Sequence, residues 1–282
     1  MPLAPLPEIL IEPIVREALL EDLGRAGDLT TDAIVPRDLK TKTVMAVRQE
    51  GVVAGIDLAA LAFRLIDPAI RFEPSVEDGA AVKPGARVAV VEGQARGVLT
   101  AERVALNFVS RMSGVASATA KLSSVVSHTK ARIVCTRKTT PLLRAIEKYA
   151  VRAGGGANHR FGLDDAVLIK DNHVAVAGSV AEAIRRARAH VGHLVKIEVE
   201  VDTLAQLEEA LGVGVDAVLL DNMSLDDLKR AVAMIGGRAI SEASGRVTPE
   251  TARGIAETGV DLISVGWLTH SAPILDIGLD AA

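Results

Sequence analysis

The chain has 282 residues and a formal net charge of -4, with its basic residues dispersed along the sequence. This distribution argues against nucleic acid as a partner, because such proteins present a continuous positive face to the phosphate backbone. Apolar residues make up 49% of the chain and aromatic residues 2%, which predicts an aliphatic core of helices packed on strands.

The N-terminal segment MPLAPLPEILIEPIVREALLEDLG carries acidic residues and prolines where a secretory signal would have a basic start and an unbroken apolar stretch. No apolar run long enough to cross a bilayer occurs, so no membrane partner is expected. The single cysteine, Cys135, cannot form an intrachain disulfide and is interpreted as a small core residue. We therefore expect a reduced, cytoplasmic protein.

The first hundred residues combine helical and β-prone segments without an internal repeat. An acidic N-terminal helix is followed by the strand pattern TKTVMAVRQEGVVAGI. From Arg71, short β-prone pieces alternate with turns at Asp78-Gly79, Pro84-Gly85 and Glu92-Gly93, which predicts a small antiparallel β unit. The next segment, TAERVALNFVSRMSGVASATAKLSSVV, predicts a long helix with Thr100 as its N-cap.

From Arg132 onward, aliphatic runs of strand length alternate with amphipathic helical stretches. This alternation is typical of a parallel sheet with helical crossovers. The predicted strands are RIVCTRK, AVLIKDN, LVKIEVEV, DAVLLDNM, RAISEASG and DLISVGW. The predicted helices cover residues 141–153, 180–191, 204–211, 225–235 and 249–258.

Each predicted strand ends in polar or small residues, and these ends recur at intervals of 21 to 32 residues. One marker from each end gives Lys138, Lys170, Glu200, Asp221, Ser244 and Gly266. In a (β/α) barrel such ends converge on one active site. An open doubly wound sheet would instead gather its ligand groups at one switch point. The even spread favours a barrel.

The strand ends divide into cationic and acidic groups. Arg137-Lys138 and Lys170 are cationic ends, and His159-Arg160 lies in the turn before the second of them. Glu198 or Glu200, together with Asp221, provides the carboxylates. Such a pocket would bind an oxygen-rich anion at one side and hydroxyls or a hydrated metal at the other, as in a phosphorylated sugar. The late Ser- and Gly-containing ends are typical of a terminal phosphate site.

Structural interpretations of the same residues remain open. Strand-end cations can simply extend into solvent, and His159 could be a core histidine. Gly154 to Gly156 could end a helix, and this run lacks the lysine of a P-loop. Asp221-Asn222 could cap the next helix. The remaining candidates for turn formation are Thr136, Thr139, Thr140, Asp164 and Asp165, the two aspartates being given no functional role.

Several long motifs resemble those of the quinolinate phosphoribosyltransferase family, the carboxylating nicotinate-nucleotide pyrophosphorylases. The main one is TRKTTPLLRAIEKYAVRAGGGANHRFGLDDAVLIKDNH, residues 136–173. The others, in family order, are EDLGRAGDLTTDAIVP, TAERVALNFVSRMSGVA, EVEVDTLAQLEEAL, LLDNM and SEASGRVTPETARGIAETGVDLISVGWLTHSAP. The resemblance implies an N-terminal α/β sandwich domain over residues 1–110, to which residues 270–282 return, and an incomplete TIM-like (β/α) barrel over residues 111–269. It also implies a homodimer or a multiple of dimers.

The resemblance implies a reaction of de novo NAD biosynthesis. Quinolinate and 5-phosphoribosyl 1-pyrophosphate would react with Mg²⁺ to give nicotinate mononucleotide, pyrophosphate and CO2. Lys138, Lys170, Glu200 and Asp221 would be the catalytic residues. Lys170 would lie at the phosphates, and Glu200 and Asp221 would hold the ribose hydroxyls and possibly the Mg²⁺ carried by the pyrophosphate.

The resemblance also assigns the substrate-binding residues. Arg137 and Arg160, with Lys138 and His159 nearby, would hold the two ring carboxylates of quinolinate, and Arg103 would complete the site of the neighbouring subunit. The remaining expected substrate ligands are Thr136 and, for the 5'-phosphate, Ser244, Gly245 and Gly266.

Two positions depart from the family pattern. Arg246 replaces the second glycine of an expected SGGV motif, and Leu142 replaces a glycine expected after Pro141. Two other functions remain open: a barrel lyase that forms a Schiff base on Lys170, and a sugar-phosphate binding protein without turnover.

Overall fold

The computed structural model describes residues 3–282, which form two compact units. The first unit contains the described residues up to Ala120, Thr139–Gly155 and Leu268–Ala282. The second contains Lys121–Lys138 and Gly156–Trp267. Within the described part of the chain, no helix has the length and apolar character needed to span a membrane.

The elements follow one another along the chain in two groups. The elements up to Val126 are α1 (Glu8–Leu23), α2 (Leu29–Ile34), β1 (Lys40–Val47), β2 (Gly51–Val52), α3 (Ile56–Ile66), β3 (Arg71–Pro74), β4 (Ala81–Val82), β5 (Arg87–Gln94) and α4 (Ala95–Val126). The later ones are β6 (Arg132–Val134), α5 (Arg144–Ala153), β7 (Val167–Ile169), α6 (Asp171–Ala177), α7 (Val180–His190), β8 (Ile197–Val201), α8 (Leu204–Val213), β9 (Ala217–Asp221), α9 (Leu225–Ile235), β10 (Ile240–Ser244), α10 (Pro249–Ala256), β11 (Leu262–Ser264), α11 (Trp267–His270) and β12 (Ile277–Ala281).

The first unit contains an antiparallel four-stranded sheet in the order β12-β1-β5-β3 and a short antiparallel pair, β2-β4. The C-terminal strand β12 pairs with β1, for example Met45 with Leu279. The side chains of α1 and α3 supply apolar faces to this unit, and the Phe63 ring lies 5.9 Å from that of Phe72. The antiparallel β unit expected from Arg71 is therefore present.

Two predicted helix starts in the first unit are wrong. The helix expected to begin after an N-cap at Thr100 begins at Ala95, because β5 leads directly into helical backbone with no residue that breaks it. The Thr100 hydroxyl instead donates to Asp28 Oδ2 at 3.0 Å. The helix expected from residue 141 begins at Arg144 because Leu142 has a left-handed backbone, with φ of 67°.

A buried ion pair links the three segments of the first unit. Arg111 on α4 donates to Glu147 Oε1 at 2.9 Å and to the carbonyl of Thr269 at 2.7 Å. The fully buried Glu147 also accepts from the Thr140 backbone N–H at 2.9 Å. Removing one partner would leave an uncompensated buried charge, which typically costs about 3–5 kcal/mol.

The second unit is built on a parallel six-stranded sheet in the order β6-β11-β10-β9-β8-β7. Each strand lies within the segment predicted for it. The first strand, β6, pairs with the last, β11, whereas β7 lies at the opposite end of the sheet. This order is that of a barrel left open between its first and second strands, and it confirms the incomplete (β/α) barrel.

Helices α7 to α10 follow the predicted positions, and each begins with a hydroxyl N-cap: Ser179, Thr203, Ser224 and Thr248 respectively. Helix α6 is not among the predicted helices: its first two residues, Asp171 and Asn172, belong to the predicted strand AVLIKDN, and no element is predicted for residues 173–177. The His173 side chain accepts from the Lys170 backbone N–H at 2.9 Å and so starts this helix directly after β7.

Candidate active site

Side chains alternate between the two faces of a strand, and this alternation decides which acidic side chains of the second unit share a face of the sheet. Glu198 and Glu200 share one face of β8, and Glu200 is in register with Leu219 of β9, which is in register with Glu242 of β10. Asp221 of β9 is likewise in register with Ser244. The sheet therefore places acidic side chains from three neighbouring strands on one face.

Lys170 and Glu200 form a direct ion pair at the ends of β7 and β8. Lys170 Nζ lies 2.5 Å from Glu200 Oε2. The Lys170 side chain is 48% exposed and that of Glu200 13% exposed. A half-exposed side chain paired with a carboxylate is not in the desolvated, apolar surroundings that a Schiff-base lysine requires.

Arg137 and Arg160 bring two positive charges close together. Burial, and next the nearby charge of Arg137, lower the pKa of Arg160 from its ordinary value. The Nε atoms of both guanidinium groups are buried and have no hydrogen-bond partner among the described residues. Arg160 Nη1 donates to the carbonyl of Ala166 at 3.1 Å. Two buried donors of like charge without acceptors form a site that an anion would satisfy.

His159 lies between two carboxylates. Its Nε2 lies 2.8 Å from Glu198 Oε2 and 3.7 Å from Glu242 Oε1. Glu242 is 1% exposed, and its Oε1 has no hydrogen-bond partner within residues 3–282. Burial, and then the charge of Glu198, raise the pKa of Glu242. His159 is thus part of an acidic cluster and not an isolated core histidine.

The loops around the cationic residues are held by local hydrogen bonds. Thr136 Oγ1 accepts from the Lys138 backbone N–H at 3.0 Å, so Thr136 shapes the turn that carries Arg137. The Asp165 carboxylate accepts from the backbone N–H groups of Phe161 and Gly162 at 2.5 and 2.8 Å. Asp165 is therefore the turn residue that the sequence predicted.

The loop after β10 requires backbone conformations that favour glycine. Gly245 has φ of 110°, and a Cβ there would lie 2.3 Å from Asn222 Oδ1. Asn222 donates its backbone N–H to the Ser244 carbonyl at 2.9 Å, which joins the ends of β9 and β10. Arg246 has φ of 47°, so this departure from glycine occupies a position where glycine would be unstrained.

The remaining predicted residues lie as follows. Gly266 immediately precedes α11, and the neighbouring Trp267 donates its indole N–H to the Val247 carbonyl at 2.9 Å. Arg103 belongs to the first unit and is exposed on α4. Gly154 is the C-cap of α5, as one interpretation predicted. The alternative that Asp221 and Asn222 cap the next helix is wrong, because Ser224 caps α9.

Family comparison decides between the functions left open. The family model described as "Quinolinate phosphoribosyl transferase, C-terminal domain" matches residues 115–280, and the corresponding N-terminal domain model matches residues 28–113. The chain belongs to the quinolinate phosphoribosyltransferase family.

Individual relatives agree with this assignment. The chain is 47% identical to the "Nicotinate-nucleotide pyrophosphorylase [carboxylating]" of Mycobacterium leprae, over 94% of this chain and 95% of that one. It is 40% identical to the probable nicotinate-nucleotide pyrophosphorylase of Bacillus subtilis, over 96% and 93%. The solved structure of the Francisella tularensis nicotinate-nucleotide pyrophosphorylase superposes with a TM-score of 0.95 at 37% identity, covering 100% and 99% of the two chains.

The predicted site residues do not include Glu242, and the strand-end pattern alone does not choose between Glu198 and Glu200. The signal was present in the segment SEAS, where Glu242 lies two residues before Ser244 and so shares its face of the strand. A carboxylate inside an aliphatic strand needs partners, and Glu198 and His159 provide them.

Proposed function

We propose that this chain transfers the phosphoribosyl group of 5-phosphoribosyl 1-pyrophosphate to the ring nitrogen of quinolinate, with loss of CO2, to give nicotinate mononucleotide and pyrophosphate in NAD biosynthesis. The observation that carries the proposal is the pair of buried, unpartnered guanidinium Nε–H groups of Arg137 and Arg160 within this family's fold. Quinolinate carries two adjacent carboxylates, which match two planar cationic donors.

The sugar end of the substrate would bind at the carboxylates. Glu200 and Asp221 follow β8 and β9, where their oxygens can accept from the ribose hydroxyls. Ser244, Gly245 and Gly266 lie in loops after β10 and β11 and would contact the 5'-phosphate through short side chains and backbone N–H groups. The close approach of Gly245 to Asn222 supports a tightly shaped backbone at this position.

Glu200 and Asp221 also fit a Mg²⁺ ion carried by the pyrophosphate, since carboxylate oxygens are hard ligands of the kind that Mg²⁺ prefers. Glu200 accepts from Lys170 through Oε2, and Asp221 accepts from the Asn222 side chain through Oδ2. The second oxygen of each carboxylate would therefore be the one to bind the ion. When bound, the ion would neutralise charge that develops on the leaving pyrophosphate.

The chain's own residues would orient the reactants and stabilise charge. Lys170 would stabilise negative charge on the phosphates, and the carboxylates near the sugar would offset positive charge that develops at the anomeric carbon. Lys138 would lie near the arginine pair, at the ring carboxylates. The arginine pair would hold the pyridine ring so that its nitrogen faces that carbon. No covalent bond to the enzyme is needed. After transfer, the carboxylate at ring position two departs as CO2, the bonding electron pair stays on that ring carbon beside the positively charged nitrogen, and a proton from solvent then adds to the carbon.

The working form would be a cytoplasmic homodimer, or a multiple of dimers, in which Arg103 of one subunit completes the site of the other. The exposure of Arg103 on α4 of the first unit supports this part of the proposal, because the side chain is available to a second copy.

The test is an assay of the purified chain with quinolinate, phosphoribosyl pyrophosphate and Mg²⁺, followed by detection of nicotinate mononucleotide and CO2. Nicotinate in place of quinolinate is the control, because it lacks the second carboxylate. Product formation with quinolinate but not with nicotinate supports the proposal. Ligand binding without product would favour the non-catalytic alternative, and borohydride trapping of Lys170 on a carbonyl substrate would favour the lyase.

A further inference from the structure

The acidic cluster of His159, Glu198 and Glu242 adjoins Arg160, and neither of its carboxylates has a role in the function proposed so far. Both ring nitrogens of His159 are engaged. The backbone N–H of Arg160 donates to His159 Nδ1 at 2.8 Å, and Nε2 lies 2.8 Å from Glu198 Oε2. A nitrogen that accepts a hydrogen bond carries no proton, so the proton of His159 is on Nε2 and the ring is neutral.

This tautomer does not match two simpler functions for the cluster. A metal ion would have to displace the Nε2 proton, and a histidine that binds a metal usually donates its other N–H to a neighbouring group. The Nδ1 of His159 instead accepts. A cationic histidine facing the substrate would need protons on both nitrogens. The geometry therefore points to a residue that acts through its neighbours.

Glu242 supplies the reason that the tautomer persists. The carboxylate oxygens of Glu198 and Glu242 and His159 Nε2 all lie within 4.8 Å of one another. Two carboxylates this close in a buried site favour a state in which one of them holds a proton. Glu242 is the more buried of the two, and its pKa is raised by burial and by Glu198. Glu198 is then left as the acceptor for His159 Nε2–H.

We propose that Glu242 is a positioning residue: with Glu198 it holds His159 as the Nε2-protonated neutral tautomer, and His159 in turn fixes the backbone of Arg160 so that its guanidinium meets a quinolinate carboxylate. The inference rests on the proposed function for its last step only. The first steps concern the substrate-free protein and can be tested there.

The substrate-free test is ¹⁵N NMR of the protein labelled at histidine, with the His159 signals assigned from their loss in His159→Asn. The expected spectrum at neutral pH has one protonated ring nitrogen, Nε2, and one unprotonated nitrogen, Nδ1. Two protonated nitrogens would overturn the proposal. Displacement of the Nε2 proton by stoichiometric Zn²⁺ would also overturn it and would establish a metal site instead.

The kinetic test compares substitutions of Glu242. Glu242→Ala is expected to raise KM for quinolinate about tenfold, because a buried polar partner is lost, while KM for phosphoribosyl pyrophosphate stays within about twofold. Glu242→Gln, which has the shape of the protonated acid, should restore most of the quinolinate affinity. If Gln is as damaging as Ala, Glu242 acts as an anion and the proposal is wrong.

A substitution of His159 separates positioning from direct contact. The amide oxygen of His159→Asn can still accept from the Arg160 N–H, so this variant should bind quinolinate about tenfold more tightly than His159→Leu. Equal loss in both variants would identify His159 as a direct substrate ligand and overturn the inference. The matched control is Glu257→Gln, which alters an exposed pair, His128 Nε2 to Glu257 Oε1 at 3.1 Å, and should leave both KM values unchanged.

Thermal unfolding of each variant identifies any that fail to fold. A parent chain with no quinolinate turnover would refute the proposed function, yet the NMR spectrum would still decide whether Glu242, Glu198 and His159 form the proposed cluster.

Discussion

Lys170 Nζ and Glu200 Oε2 are separated by 2.5 Å although the residues are 30 positions apart in the chain. The contact exists because β7 and β8 are adjacent and parallel, with Leu168 opposite Glu198, so the residues two positions further along are also opposite each other. The cation proposed for the phosphates and the carboxylate proposed for the sugar are therefore held together in the folded chain.

We expect Lys170→Ala to lower kcat/KM for phosphoribosyl pyrophosphate about 100-fold, or about 3 kcal/mol, because a preorganised charge at the phosphates is lost. Steady-state kinetics on the folded variant measures this. The control is Lys196→Ala, which removes a more exposed ion pair with Asp216, at 2.6 Å, and should leave the kinetics unchanged. Normal turnover by Lys170→Ala would contradict the role of Lys170 in phosphate stabilisation.

Arg137→Ala should keep the fold and abolish most quinolinate turnover. The guanidinium Nε of Arg137 is buried without a hydrogen-bond partner among residues 3–282, so its removal takes away an unsatisfied group and should not lower the free energy of unfolding. The loss in kcat/KM for quinolinate should be on the order of 3 kcal/mol. Arg137→Lys should not restore it, because an ammonium lacks the planar paired donors of a guanidinium. Near-normal kinetics in either variant would refute the arginine clamp.

Complementation tests the shared site of the dimer. Arg103→Ala and Lys138→Ala are each expected to be inactive alone. Mixing them under conditions where subunits exchange should restore about a quarter of parental activity, since half the dimers are then mixed and each has one native site. The control mixes two differently tagged Arg103→Ala chains, which should remain inactive. No recovery, despite exchange shown by the tags, would mean that Arg103 acts within its own subunit.

Glu242 should make stability depend on pH. Burial, and next the charge of Glu198, raise the pKa of Glu242 from 4.5 to about 7, so the folded protein holds this proton more tightly than the unfolded chain does. The stabilisation is complete below about pH 4.5 and is lost as the pH rises through about 7.

Urea unfolding of Glu242→Gln measures this contribution, because glutamine does not titrate. As the pH rises from 4.5 to 8, the free energy of unfolding of the variant should increase relative to that of the parent by on the order of 2 kcal/mol. Curves that run parallel across this range would show that Glu242 is ionised in the folded protein at all these pH values.

Glycine at position 246 should stabilise the protein. Arg246 has φ of 47°, and a left-handed backbone costs a residue with a side chain about 1–2 kcal/mol. Part of that gain is offset by the greater freedom of glycine in the unfolded chain. We expect Arg246→Gly to raise the free energy of unfolding by about 0.5–1 kcal/mol. Leu142 has φ of 67°, so Leu142→Gly should have the same effect. A decrease in both would show that the arginine and leucine side chains stabilise these loops.

Most of the second unit could be predicted from sequence because its signals are local. Aliphatic runs such as AVLLD are too short for helices and are separated by capped helices. Neighbouring residues are therefore enough to predict that each run is a strand and where it lies along the chain. The start of α4 and the existence of α6 could not be predicted. The first has no capping residue where β5 ends. The second has Lys170 at its N-cap and His173 three residues later accepting from the Lys170 backbone N–H, and lysine is not a usual N-cap residue.

The sequence by itself determined the family, the parallel strand order and which strand ends carry charge, because these depend on residue type and spacing along the chain. Only the tertiary structure decided which charges meet. The pairing of Lys170 with Glu200, the orphaned donors of Arg137 and Arg160, and the placement of Glu242 against His159 all depend on sheet register and burial. Hydrogen bonding and desolvation act over a few ångströms between residues far apart in the chain, and spacing along the sequence does not encode those distances.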